Sequence, residues 1–343
     1  MGRGIPRKIR WNSFAVTYAD FPKRGGILSS LLVANLLQVL VVMLFSPLLK
    51  GVTGRLKGVV QSRHGPSVWQ PYFDLYKLFR KDEVISEDAS WVFRAAPLFS
   101  FAVPILVTLL IPVLTSFPLT WAFMGDMLAS GFILALGGFF ATLAAMDTAS
   151  PYGQMGSSRT RMVSFLAEPV LMCVFFVVSL VARSTIPYVV NKAWYLGGTD
   201  VIYPSHVLVV IAFFMVILAE TGRLPVDNPE GHFELAMIDE SKSLEYSGKA
   251  LGLVKWGGYM KLFVLLTIFM NVLVTPWGLA AALTPAALAL ALGALWLKLF
   301  VGACVIVMIE SSLAKLRLFR VGEFLGAAFV VSLLGLVTFF IGV

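Results

Sequence analysis

Two cysteines and three histidines in 343 residues leave little with which to hold a metal. Cys173 and Cys304 stand apart inside apolar stretches, without C-x-x-C spacing, and His64, His206 and His232 are scattered singly. No iron–sulfur, zinc or haem site can be assembled from them by recognised spacing. No G-x-G-x-x-G opens a helix after a strand, and there is no Walker A sequence. Any redox chemistry therefore has to take place on a partner. Charge is scarce too: Asp, Glu, Lys and Arg make up 13% of the chain, where a soluble domain carries about twice that fraction.

What is present is apolar. Hydrophobic residues make up 58% of the chain and the mean hydropathy is +0.86. A bilayer is crossed by helices of roughly 20 apolar residues, and eight stretches qualify: 27–49, 93–114, 127–146, 165–182, 206–220, 259–274, 285–309 and 323–342. The alternating ten-residue segments of a β-barrel are missing. The sequence predicts an all-α polytopic membrane protein of about eight transmembrane helices. Residues 1–26 form a basic N-terminal extension, and 27–343 form a single membrane domain.

The net charge of +8 could suggest nucleic acid, but its distribution gives another reason. Of the 27 lysines and arginines, eighteen fall in odd-numbered loops and two in even-numbered ones. That is the asymmetry of cytoplasmic against external sides. Odd loops are expected inside and both termini outside, with no nucleic-acid partner. The basic start "MGRGIPRKIR" runs against this topology; it has no apolar core of its own and is not read as a cleaved signal.

The even loops are short or featureless, whereas the odd ones are patterned. In loop 1, Gly65-Pro66 and Gln70-Pro71 mark turns. After Pro71 the apolar positions Tyr72, Leu75, Tyr76, Leu78 and Phe79 follow a helical period, with Asp74, Lys77, Arg80 and Lys81 largely off that face. A short amphipathic surface helix is expected. It could rest on anionic headgroups or dock a protein, with Trp69, Tyr72 and Phe73 as apolar anchors and Arg63, Asp74, Lys77, Arg80 and Lys81 around them. Interleaved aromatics and prolines favour docking.

The scarce acid is gathered. Loop 3 begins with Asp147 at a helix end and closes with Glu168 just inside the fourth span. An acid at the bilayer centre costs about 2.5–3.5 kcal/mol on insertion scales, so such residues face protein interiors; Glu168 could also simply pair with Arg159 or Arg161. In "AETGRLPVDNPEGHFELAMIDE" (219–240) stand six of the 19 acids: Glu220, Asp227, Glu230, Glu234, Asp239 and Glu240. Pro225 and Pro229 forbid a continuous helix. The chain is expected to leave the helix after Glu220 and to restart with Asn228 as cap and Pro229 as first helical residue. Glu230 and Glu234 would then share a face at i and i+4, where like charges repel and one holds its proton in a low-dielectric site. Glu245 adds another acid. A proton relay is favoured over a solvated acidic loop. Lys298 lies thirteen residues after Pro285, about 20 Å into the seventh span, and Glu310 stands at that span's end.

These segments resemble a known family. "AETGRLPVDNPEGHFEL" and "LEYSG" are similar to the acidic loop of the membrane subunit that anchors the redox arm of respiratory complex I (subunit 1 in mitochondria). "GPSVWQPYFDLYKLFRK", "MDTASPYGQMGSSR", "FLAEP", "LVKWGGYMKL" and "WLKLFVGACVIVMIESSLAKLRL" look closer to the homologous subunit of membrane-bound [NiFe]-hydrogenases of the formate-hydrogenlyase and energy-converting type. The resemblance runs from about Arg55 to Arg317. It implies an eight-helix subunit of a prokaryotic cell membrane, without catalysis of its own, linking a peripheral hydrogenase module to antiporter-like membrane subunits. The [NiFe] centre and [4Fe-4S] clusters would sit on the hydrogenase large and small subunits, with no cofactor in this chain. The implied acidic pathway comprises Glu168, Glu220, Asp227, Glu230, Glu234 and Glu245, with Arg223 following from the "ETGR" match. One departure stands out: complex I has a Gly-Pro-Asn-Arg-Val-Gly-Pro type sequence in loop 1, and here Ser62-Arg63-His64-Gly65-Pro66 takes its place, which disfavours a quinone.

Three other readings compete: a quinone-module subunit of an NADH:quinone oxidoreductase-like complex, a stand-alone ion-coupled transporter, and a purely structural anchor. Transporters often pair broken helices in inverted repeats; here one break, after Glu220, has no mate.

Overall fold

The computed structural model describes residues 27–119, 125–197, 204–228 and 237–341. The long helix α1 (Ile27–Val60) leads to the short helix α2 (Gln70–Arg80), then α3 (Trp91–Leu110), α4 (Met127–Asp147) and α5 (Pro151–Ala182). A second short helix, α6 (Pro187–Gly197), precedes α7 (Pro204–Glu220), α8 (Gly248–Ile268), α9 (Pro285–Ser312) and α10 (Leu318–Ile341). A 3-10 turn, Glu240–Ser243, comes before α8, which runs on as a π-helix over Phe269–Val274. Among the described residues seven helices are long and apolar enough to cross a membrane, and α7, at 17 residues, is a shorter apolar helix. The only β contact among them is one isolated bridge, Thr115 to Ala280. This is an all-α, multi-pass membrane protein. The basic extension 1–26 lies outside the described residues.

Packing follows the apolar faces. α3 lies against α4 and α8, α5 against α4, α7 and α10, and α1 against α8 and α9. Val107, Val174, Phe213, Leu266 and Leu299, from five different helices, are fully buried in one continuous core. Large apolar side chains such as Val33, Leu36, Leu290 and Phe340 point outward, as a lipid-facing surface allows.

The helices outrun the apolar stretches at the end that carries the odd loops. At 34 and 32 residues, α1 and α5 are about 51 and 48 Å long, well beyond a hydrocarbon core of about 30 Å. The polar stretch 151–164, expected as loop, is the first half of α5. Pro151 occupies the first turn, where its missing N–H costs nothing. Small residues then let this half lie close to its neighbours: a Cβ on Gly153 would strike the Ala145 carbonyl, and one on Gly156 the Ser241 side chain. Thr160 donates to the Ile238 carbonyl (2.9 Å) and Arg159 to that of Met237 (3.3 Å). Likewise α1 continues past 49, and the backbone of 65–68 lies directly on its Gly51 and Gly58.

At the opposite end, loop 4 is not featureless. It contains α6, whose Tyr188 hydroxyl donates to the Ile111 carbonyl (3.1 Å), while Asn191 donates to the carbonyls of Asn271 (2.6 Å) and Pro276 (3.1 Å). With the Thr115–Ala280 bridge, these bonds seal that end as a polar plug.

Candidate functional site: a charged cavity at the odd-loop end

The site begins where α7 stops. Gly222 takes φ +57°, a left-handed conformation open to glycine, and donates its N–H to the Ala219 carbonyl (3.2 Å), while Arg223 N–H reaches that of Leu218 (2.9 Å). The break after Glu220 therefore falls where the prolines placed it. Beyond it, the Asp227 carboxylate accepts the backbone N–H groups of Asn228 (2.8 Å), Ile238 (3.0 Å) and Asp239 (2.9 Å) and an ion pair from Lys315 (2.6 Å). These bonds fasten the two ends of the loop to each other. Pro229, Glu230 and Glu234 lie outside the described residues.

A cavity of about 160 Å³ opens beside this loop, walled by α1, α3, α4, α8 and the 3-10 turn. Its wall is apolar on the α3 and α4 side and ionic elsewhere. Glu220 pairs with Lys261 of α8 at 2.7 Å, Glu240 with Lys255, and Asp239 with Lys242 at 2.6 Å. Arg223 pairs with Glu310 of α9 at 2.8 Å, and Lys57 of α1 stands 3.7 Å from the same carboxylate. Those three side chains are each under 10% exposed, so removing one partner would leave an uncompensated buried charge, at a cost of about 3–5 kcal/mol. Partial burial pushes the Asp239 carboxyl up, but the ammonium groups of Lys242, Lys261 and Lys255 outweigh it and hold the group below its ordinary value. A second, smaller cavity is lined by several of the same residues, among them Gly138, Glu220, Asp239 and Lys261. Gly138 presents open space where a side chain would otherwise stand. This arrangement can hold water among fixed charges and can exchange protons between neighbouring acids and bases.

The residues singled out in the sequence divide into three groups. Glu220, Arg223 and Glu310 belong to the cavity or to its nearest ion pairs. Glu168 sits half-buried on α5, within electrostatic reach of Glu220 and Lys261. Asp227 is fully engaged in the fastening just described. Asp147, Glu245 and Lys298 lie elsewhere. Asp147 accepts the Ser90 N–H (2.7 Å) and so orders the start of α3, and Glu245 is exposed. Lys298 is twelve residues before Glu310 on α9, about 18 Å away, inside the plug at the other end. There its ammonium donates to Asn271 Oδ1 (3.0 Å) and to the carbonyls of Thr275 (2.7 Å) and Trp277. Asn271 in turn donates to the carbonyls of Pro112 (2.9 Å) and Val113 (3.1 Å).

Of the site's cations the sequence marks only Arg223; Lys50, Lys57, Lys242, Lys255, Lys261 and Lys315 carry the rest of its positive charge. The available signal was the cost of an ammonium within or beside an apolar helix, which demands a partner.

Loop 1 forms the expected surface helix. Pro71 and Leu75 of α2 are buried, and Phe79 meets Trp256 of α8 at 6.0 Å. Tyr72 donates its hydroxyl to the Leu44 carbonyl and is held within the chain. Tyr76 points outward rather than into the apolar face, because Pro71, Leu75 and Phe79 already cover α8; Arg80 donates to its hydroxyl at 3.1 Å. Trp69, Phe73 and Tyr76 are 59, 57 and 60% exposed. Arg63, Asp74, Lys77, Arg80 and Lys81 are exposed around them. Among the described residues no group of three or more His, Cys, Asp or Glu is placed to hold a metal ion.

Comparison with known proteins agrees with this architecture. Formate hydrogenlyase subunit 4 of Escherichia coli (strain K12) is 35% identical over 284 residues, covering 82% of this chain and 90% of its own. Hydrogenase-4 component C of the same organism is 31% identical, over 84% and 89% respectively. A subunit of the NADH-quinone oxidoreductase of Rhodospirillum centenum is 27% identical over 72% of this chain and 74% of its own. A chain in the structure of the membrane-bound sulfane sulfur reductase, an archaeal respiratory membrane complex, has the same fold: the TM-score is 0.78 at 20% identity, over 89% of this chain and 98% of that one. The NADH dehydrogenase family model matches residues 33–341, nearly the whole described bundle, and the chain belongs to that family.

Proposed function

We propose that this chain is the integral membrane subunit of a hydrogen-evolving [NiFe]-hydrogenase complex. In this reading the exposed aromatic face of α2 anchors a peripheral redox arm, and the charged cavity passes protonation changes on to ion-pumping, antiporter-like membrane subunits. The odd-loop end faces the cytoplasm. The [NiFe] centre and [4Fe-4S] clusters sit on the large and small hydrogenase subunits, and this chain supplies no catalysis of its own.

One observation carries the reading: a cavity whose charged lining is mostly paired opens on α8, the helix against which α2 packs with its exposed aromatics turned outward. Trp256 of α8 touches Phe79 of α2, and its neighbours Lys255 and Tyr259 line the cavity. A change of charge above α2 therefore has a short route into the network. The two hydrogenase relatives support the choice of partner. Glu168, within electrostatic reach of Glu220 and Lys261, extends the proposed pathway onto α5.

Purification of the tagged chain in mild detergent tests this. Large and small hydrogenase subunits should accompany it, and the preparation should evolve hydrogen from a reduced artificial donor. Recovery with bound quinone and quinone reductase activity would instead place it in an NADH:quinone oxidoreductase-like complex.

A further inference from the structure

We propose that Lys50 is the proton-exchanging group of the cavity, the member of the network whose charge is switched; this rests on the relay reading above. Lys50 projects from α1 into the cavity. Four other cations line it, and each lies within ion-pair distance of a carboxylate: Arg223 of Glu310, Lys242 of Asp239, Lys255 of Glu240 and Lys261 of Glu220. Lys50 is the exception among the described lining residues: its ammonium makes neither an ion pair nor a hydrogen bond there. Lys57, two turns further along the same face of α1, is held by Glu310.

The charges facing Lys50 come from every side and are balanced in sign. Arg223 follows α7, Glu240 lies on the 3-10 turn, Glu310 on α9 and Lys255 on α8. Each of the two carboxylates already has a cation of its own. Taking the proton from Lys255 would strip Glu240 of its partner in a poorly solvated site, which is costly. Taking it from Lys50 costs the donor no ion pair, and the one pair disturbed is that of the acceptor. Lysine can give up its proton where arginine cannot. Tyr259 also lines the cavity.

The step moves one proton. An N–H bond of the Lys50 ammonium breaks, its electron pair stays on Nζ, and the proton passes through cavity water to a Glu240 carboxylate oxygen. Neutral Glu240 then releases Lys255, whose charge already acts on Asp239. The disturbance thereby moves from the α1 side of the cavity towards the Glu220–Lys261 pair. Glu240 then passes its proton to cavity water beside the Glu220–Lys261 pair and regains Lys255, and reprotonation of Lys50 through cavity water completes the cycle.

The test uses the intact complex in sealed vesicles and reads ions moved per hydrogen evolved. Lys50→Gln and Lys50→Arg are each expected to lower that ratio by at least about tenfold, as is Glu220→Gln. Arginine keeps the positive charge but cannot exchange a proton, so a wild-type ratio in Lys50→Arg would make Lys50 a fixed counter-charge and overturn the proposal. A wild-type ratio in Lys50→Gln beside a lowered one in Glu220→Gln would overturn it while the relay reading stands. A wild-type ratio in Glu220→Gln removes the relay itself. Failure of both Lys50 variants to assemble, judged by co-purification, would assign the residue to structure and equally overturn the proposal.

Discussion

The two ends of the bundle hold their lysines on opposite terms. At the odd-loop end, Lys57, Lys242, Lys255, Lys261 and Lys315 each meet a carboxylate, and several share a cavity. At the other end, Lys298 meets only neutral oxygens, from Asn271, Thr275 and Trp277, in a plug tied together by Asn191 and Asn271. A cation among neutral carbonyls has nowhere nearby to send a proton and acts as a fastener. Cations set against acids around water-sized space form a network whose protonation can shift. A buried charge in a membrane helix is thus not in itself a pathway residue; the chemistry of its partners decides.

The largest effect should follow from breaking the dry part of the charged end. Glu310→Gln leaves Arg223 and Lys57 facing a neutral amide, and a loss of about 3–5 kcal/mol is expected. It should appear as a clearly lower melting temperature of the detergent-solubilised complex; an unchanged one would mean that the Arg223–Glu310–Lys57 group is not a clamp. Next comes the outer face of α2. Trp69→Ala with Phe73→Ala should detach the peripheral arm, because buried aromatic anchors commonly carry about 2 kcal/mol or more each; undiminished co-purification would show that α2 merely rests on lipid. Tyr72, whose hydroxyl is tied to the Leu44 carbonyl, should matter less for docking.

Lys298→Met sharpens the contrast between the ends. Three oxygens lose a donor, for an expected loss of about 1–3 kcal/mol in stability, yet ions moved per hydrogen should stay at the wild-type value. The smallest effect belongs to the Asp239–Lys242 pair, whose carboxylate is 41% exposed, so that Asp239→Asn should cost under about 1 kcal/mol. Because the folded Asp239 titrates below its ordinary 3.8, its contribution is present above that pH and is lost as pH falls through the folded value. The melting temperature of Asp239→Asn should lack that component of the acid dependence.

The sequence made the spans legible because apolar runs must match a bilayer. The break after Glu220 was equally legible, since Pro225 and Pro229 permit little else. The helix of loop 1 followed from its spacing, although Tyr76 was assigned to the wrong side because a narrower stripe suffices to cover α8. The polar first half of α5 escaped: Gly153, Gly156 and Ser157 look like loop residues, and their value as a close-packing face depends on neighbours far along the chain. Long-range pairing hid the site's cations in the same way. Glu220 and Lys261 are 41 residues apart and Asp227 and Lys315 are 88 apart, so the acids of that segment stand out as a cluster while their partners are dispersed. Lys298 was correctly seen as deep in its span, but backbone carbonyls carry no sequence mark, and its membership of the plug was invisible.

The most direct measurement places the two ends side by side. Vesicles carrying the complex with Glu220→Gln and with Lys298→Met are assayed for hydrogen evolution from an artificial donor and for the ion gradient formed. The expected result is a ratio of ions to hydrogen at least about tenfold lower for Glu220→Gln, with the Lys298→Met ratio unchanged. Equal ratios in both variants, or a loss confined to Lys298→Met, would contradict the assignment of ion coupling to the charged cavity.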